Sequence, residues 1–72
     1  MKHYDVRYKL HSAGEIKNIA VLASNKAEAY DVAVYEAITE KEGMYPYSAW
    51  VAGVTHRNGK YQIFNTHEGN PY

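Results

Sequence analysis

The 72-residue chain contains no cysteine. That excludes a disulfide framework and a thiolate nucleophile, and it gives no reason to place the protein in an oxidising compartment. Long apolar runs are missing too. No stretch approaches the ~18 residues a membrane-spanning helix needs. The opening residues Met1, Lys2, His3, Tyr4 and Asp5 lead into no apolar segment of the signal-peptide kind, so a cytoplasmic location is expected. Charge of one sign is also lacking: eight Lys and Arg balance eight Asp and Glu. Affinity for nucleic acid comes largely from basic side chains against phosphates, so a neutral chain with no basic stripe argues against that class. The four His add positive charge only below neutral pH.

Catalytic patterns are equally scarce. Ser12, Ser24 and Ser48 sit in no Gly-x-Ser-x-Gly elbow. Gly53 and Gly59 belong to a strand and a hairpin turn, not to a phosphate-cradling loop. Asp5 and Asp31 have no spaced acidic partner. His3, His11, His56 and His67 lack the spacing that puts two ligands on one helical face, and solvated histidine is the plainer account of each. His56 and His67 do flank the second hairpin, and His3 and His11 bracket the first strand. The expectation is a non-enzymatic chain with no cofactor and no metal site.

What the chain does have is pattern. Its length holds one domain, residues 1–72, which buries only ~60% of the surface of its unfolded chain. Residues 2–10 alternate, with Tyr4, Val6, Tyr8 and Leu10 on one face and His3, Asp5, Arg7 and Lys9 on the other. That period of two marks a half-buried strand. Gly14 closes a turn in which it is free to take positive φ. Residues 16–23 form a second strand with apolar side chains on both faces: Ile19 and Val21 on one, Ile16, Ala20 and Leu22 on the other. Such a strand is expected to be covered on two sides.

Asn25 and Glu28 have capping-box spacing, with Ser24 an alternative cap, and a helix is predicted over residues 26–42, stopping at Gly43. Ala27, Tyr30, Ala33, Val34, Ala37 and Ile38 form its apolar stripe, and its alanines let it lie close to a sheet. Val32 and Tyr35 fall on the opposite, acidic side as a candidate contact patch. Residues 48–56 form a third strand, with Trp50, Ala52 and Val54 alternating against Ala49, Val51 and Thr55. Asn58-Gly59 predicts a two-residue hairpin. Residues 61–66 form the fourth strand, with Tyr61 and Ile63 on one face and Gln62 and Phe64 on the other. A short tail ends in Pro71-Tyr72, and a terminal aromatic suggests docking. The fold class is α+β: a ββαββ order, a mainly antiparallel four-stranded sheet, and one helix on one face. The third strand can lie antiparallel to the first or parallel to the second. The other face of the sheet must be wet or meet a partner, most simply a second copy, so a homodimer or larger homo-oligomer is expected.

The compositional bias is toward tyrosine, eight residues against one Phe and one Trp. Tyr suits half-buried sheet positions and also binding surfaces. The segment Tyr45-Pro46-Tyr47-Ser48-Ala49-Trp50 holds three aromatics at the junction of helix and third strand. With Tyr61, and with Arg57 to hold a phosphate or carboxylate, they form a candidate site for a nucleotide-like molecule or a protein surface. The plainer account makes Trp50 a core anchor and the Tyr-Pro-Tyr loop a cover for the helix end.

The Pro46-Tyr47-Ser48-Ala49-Trp50-Val51 strand, the Asn-Gly hairpin and the tail resemble small proteins carried by bacteriophages and prophages of Gram-positive bacteria. The resemblance covers mainly the last third of the chain and carries no catalytic signature. It implies an accessory protein that works without catalysis. Such a protein occludes a host defence or metabolic protein, or sequesters a signalling nucleotide.

Overall fold

The computed structural model describes residues 1–64. Four strands, β1 (Lys2–Lys9), β2 (Lys17–Ala23), β3 (Ser48–Thr55) and β4 (Tyr61–Ile63), form one antiparallel sheet in the order β2-β1-β3-β4. A single helical run between β2 and β3 lies on one face. The topology is the expected ββαββ, and β3 pairs antiparallel with β1. The first strand is therefore central and the second lies at an edge. Residues 65–72, which hold the end of the expected fourth strand, His67 and the Pro71-Tyr72 terminus, lie outside the described residues.

The core follows from the alternation of β1. Tyr4, Val6 and Tyr8 all point to the helix and are buried. They pack with Val21 and Ala23 of β2, Ala49, Val51 and Val54 of β3, and Ala29, Ala33, Val34 and Ile38 of the helix. Full burial of an aliphatic side chain such as Val6 or Ile38 stabilises by roughly 1.5–3 kcal/mol. Leu10, Ile19, Tyr30 and Phe64 close the margins of this cluster.

The helix starts as its capping residues require. The Asn25 Oδ1 accepts from the Glu28 N–H at 2.9 Å, and Glu28 reaches back to the Ser24 N–H at 2.6 Å, one residue earlier than in the usual reciprocal box. It stops at Gly43, whose φ of 76° is the left-handed geometry glycine adopts without strain. Between α1 (Lys26–Val32) and α2 (Ile38–Glu42) runs a π-helical turn, Ala33–Ala37. There the Ile38 N–H donates to the Ala33 carbonyl, five residues back. The inserted residue brings Ile38 onto the face of Ala29 and Ala33. The stripe expected from 3.6-residue spacing holds Ala33, Val34 and Ile38, which are buried, but it also includes Ala27, where the structure buries Ala29 and leaves Ala27 exposed. Thr39 Oγ1 donates to the Tyr35 and Glu36 carbonyls of the widened turn.

Three further expectations change. β3 carries a bulge: Val6 opposes Val51 and Asp5 opposes Gly53, leaving Ala52 as the extra residue. The extra residue reverses the alternation, so Val54 joins the core with Ala49 and Val51 instead of sharing a face with Trp50. The second hairpin is not a two-residue Asn-Gly turn. His56 N–H donates to the Lys60 carbonyl around a three-residue loop, with Gly59 at φ 89° and Asn58 at negative φ. Gly14 closes the first turn through its N–H to the His11 carbonyl and does so at negative φ.

Candidate functional site

The helix covers one face of the sheet and leaves the other, the outer face, without a second layer among the described residues. Registration lines up its side chains in rows across the strands. His3 lies between Leu22 and Thr55, Asp5 between Ala20 and Gly53, and Arg7 between Asn18 and Trp50. Tyr61 and Ile63 extend the first two rows on β4. Alternation puts the polar odd positions of β1 on this face, and the inter-strand register sets which residues flank them.

The bulge shapes the β3 side of this face. Trp50 and Ala52 stay out of the core cluster and line a shallow groove of about 180 Å³ with Arg7, Tyr61, Ile63 and Phe64. Trp50 is buried, at 9% exposure. Gly53 is the position that lets β4 close this groove. A β-carbon there would lie 2.6 Å from the Tyr61 Cζ and 2.8 Å from the Gln62 carbonyl. Only a residue without a side chain admits the tyrosine ring, which sits diagonally across the strand pair. The Tyr61 hydroxyl then reaches β1 and donates to Asp5 Oδ2 at 2.7 Å. That hydrogen bond, with desolvation second, raises the phenol pKa. Lys26 Nζ lies 4.4 Å from the centre of the Phe64 ring and closes the helix side of the same region by a cation–π contact.

The structure brings together only part of the sequence-derived site. Trp50 and Tyr61 share the groove. Tyr45 and Tyr47 lie in the loop above β3, both exposed. The Tyr47 N–H donates to the Lys9 carbonyl and extends the β1–β3 ladder by one rung. Tyr45 instead meets Tyr35 of the helix edge-to-face, with ring centres 6.0 Å apart. Tyr35 is exposed, whereas its expected neighbour Val32 is half-buried against the core. Arg57 sits in the β3–β4 loop. A strand of eight residues separates it from Tyr47, about 26 Å of rise, so it cannot serve the same ligand. The guanidinium beside Trp50 is Arg7. The groove residues the sequence reading missed are Arg7, Ala52, Ile63 and Phe64. Alternation placed Arg7 on the outer face, but only the β1–β3 register sets it against Trp50.

A second polar cluster lies on the helix side. The Tyr8 hydroxyl donates to Glu42 Oε2 at 2.6 Å, and Lys17 Nζ lies 3.4 Å from the same oxygen. Burial first, then the bond to Glu42, pushes Tyr8 up to about 12. The Tyr8 bond, with help from Lys17, holds Glu42 below its usual range. Glu42 ends the helix, where the macrodipole disfavours a carboxylate, and these two donors offset that placement. The cluster ties β1 and β2 to the helix end. Elsewhere His56 Nε2 contacts Gln62 Oε1 at 2.8 Å. Among the described residues no group of three or more His, Asp or Glu is arranged to hold a metal. No described helix is long and apolar enough to cross a membrane. No protein-family model, curated protein or solved structure matches the chain.

Proposed function

We propose that this chain is a non-enzymatic binding module that engages a protein through the outer face of its sheet. One observation carries the reading. The face holds exposed apolar side chains, Leu22, Tyr61 and Ile63, the last at 70% exposure, around the polar pair Asp5 and Arg7. Apolar contacts with a few charges to set register are the composition of a specific protein interface. The resemblance to phage proteins makes the target a bacterial host protein, with inhibition by occlusion as the mode of action. The exposed Tyr35–Tyr45 pair, between the π-helical turn and the loop before β3, serves as a separate, smaller contact.

The test is capture from a bacterial lysate by immobilised wild-type protein and by Ile63→Lys. Ile63 is exposed on a short strand, so this variant keeps the fold. A target retained by wild type, lost by Ile63→Lys and rebound as a purified protein supports the module. A target bound equally by both removes the face from the reading.

A second reading, sequestration of a small nucleotide-like molecule, has its own observation: an aromatic groove with Arg7 at its wall. The groove is smaller than the ~300–1,000 Å³ of most ligand pockets, which ranks this reading second. Native mass spectrometry of gently purified protein decides it. Added mass of a few hundred daltons that disappears in Arg7→Ala favours a ligand, and a clean apo species removes this reading.

A further inference from the structure

We infer that the free edge of β2 pairs with the β2 edge of a second copy, joining two sheets into one eight-stranded antiparallel sheet about a two-fold axis at Ala20. In an edge strand every second residue turns its N–H and C=O away from the sheet, and nothing among the described residues pairs with them along Lys17–Ala23. Folded proteins guard such edges with proline, bulges, short strands or outward charges. The opposite edge follows that rule, since β4 has three residues. β2 does not. It has seven residues, with no proline, glycine or bulge, and five of them in a row are apolar: Ile19, Ala20, Val21, Leu22 and Ala23. Its one charge, Lys17, is drawn onto the helix side by Glu42.

The strand suits its own copy. An antiparallel register centred on Ala20 is the one that pairs all seven residues. It sets Ile19 against the partner copy's Val21 on the helix side, and Asn18 against its Leu22 on the outer side. Lys17 meets Ala23, so no charge faces a like charge. β-branched pairs and uncharged pairs are those that stabilise adjacent strands. At the axis, Ala20 meets its own counterpart, and its small methyl group projects from the sheet face rather than between the paired backbones. Ala20 and Leu22 have apolar side chains on the outer face of β2 yet are exposed in the single chain. The paired edge is only about 23 Å long, below the size of a tight permanent interface, so the dimer is concentration-dependent.

The experiment is sedimentation equilibrium across a dilution series, with far-ultraviolet circular dichroism to verify folding. Wild type is expected to approach twice its 8.2 kDa at submillimolar concentration. Ala20→Lys, an exposed position in the single chain, is expected to weaken the dimer on the order of fivefold. Ala20→Glu does the same, and an equimolar mixture of the two variants restores association, because only this register sets position 20 against itself. Ile63→Lys, on the other edge, leaves the dimer unchanged. Monomeric wild type at every concentration overturns the inference. So does a dimer that ignores Ala20→Lys or one that dissociates in Ile63→Lys. The inference and the proposed target-binding face thus fail separately, because they answer to different substitutions.

Discussion

Tyr8 has the largest of the completely buried side chains, and its hydroxyl is spent on one bond to Glu42. A phenol in that setting resists ionisation, because the anion would be both desolvated and beside a carboxylate. The consequence for stability has a definite sign. An unfolded tyrosine loses its proton near 10, while the folded one keeps it up to about 12. Between those values the folded state binds more protons, so stability is complete below pH 10 and falls as pH rises toward 12. Urea midpoints measured across that range are expected to decline, and Tyr8→Phe is expected to give a flatter decline from a lower starting stability. An unchanged slope would show that Tyr8 ionises freely in the folded protein. Tyr61 shares the sign, through its bond to Asp5, so part of the slope survives in Tyr8→Phe. Its alternation placed Tyr8 on the buried face from the sequence. The bond to Glu42, 34 residues away, was not visible there.

Elements in this chain are bounded by local chemistry and modified by packing. Asn25 supplies the first helical turn with its acceptor, and Asn25→Ala is expected to cost about 1 kcal/mol of stability by thermal or urea unfolding. A loss near zero would mean that the Glu28–Ser24 bond alone sustains the helix start. Both caps were readable because capping depends on residues within a few positions. The π-helical turn and the β3 bulge were not. Each inserts one residue to satisfy a distant face: Ile38 against the sheet, and Val54 against Tyr4 of β1. A strict period of 3.6 or 2 runs straight through such insertions, which is why the sequence put Val54 beside Trp50. The third hairpin residue has the same origin, since closure from His56 to Lys60 is set by where β4 can meet Gly53.

For the molecule as a whole, zero net charge and an outer face whose exposed apolar residues are Leu22, Tyr61 and Ile63 predict how it associates. Binding to a protein target through Leu22, Tyr61 and Ile63 is expected to change little between low and physiological salt. A steep fall of affinity with salt would point to released counterions and return nucleic acid as the partner. Isothermal titration at several salt concentrations with the purified target reads this directly. The helix-facing side of the sheet carries the core cluster, while Leu22, Tyr61 and Ile63 on the other side stay exposed, and that difference lies behind this expectation. The helix is one layer, and a four-stranded sheet has two faces.

The sequence by itself determined the ββαββ order, the buried face of β1, both ends of the helix and the absence of any recognisable catalytic pattern. These depend on periodicity and on contacts a few residues apart. The strand order, the edge position of β2, the bulge, and the groove that joins Trp50 to Arg7 and Tyr61 were decided by the tertiary structure. They depend on which strands become neighbours, and the alternation within one strand cannot specify the strand beside it. For that reason the aromatic cluster read along the chain separates in space. Trp50 and Tyr61 line the groove, Tyr45 pairs with Tyr35, and Arg57 yields its place to Arg7.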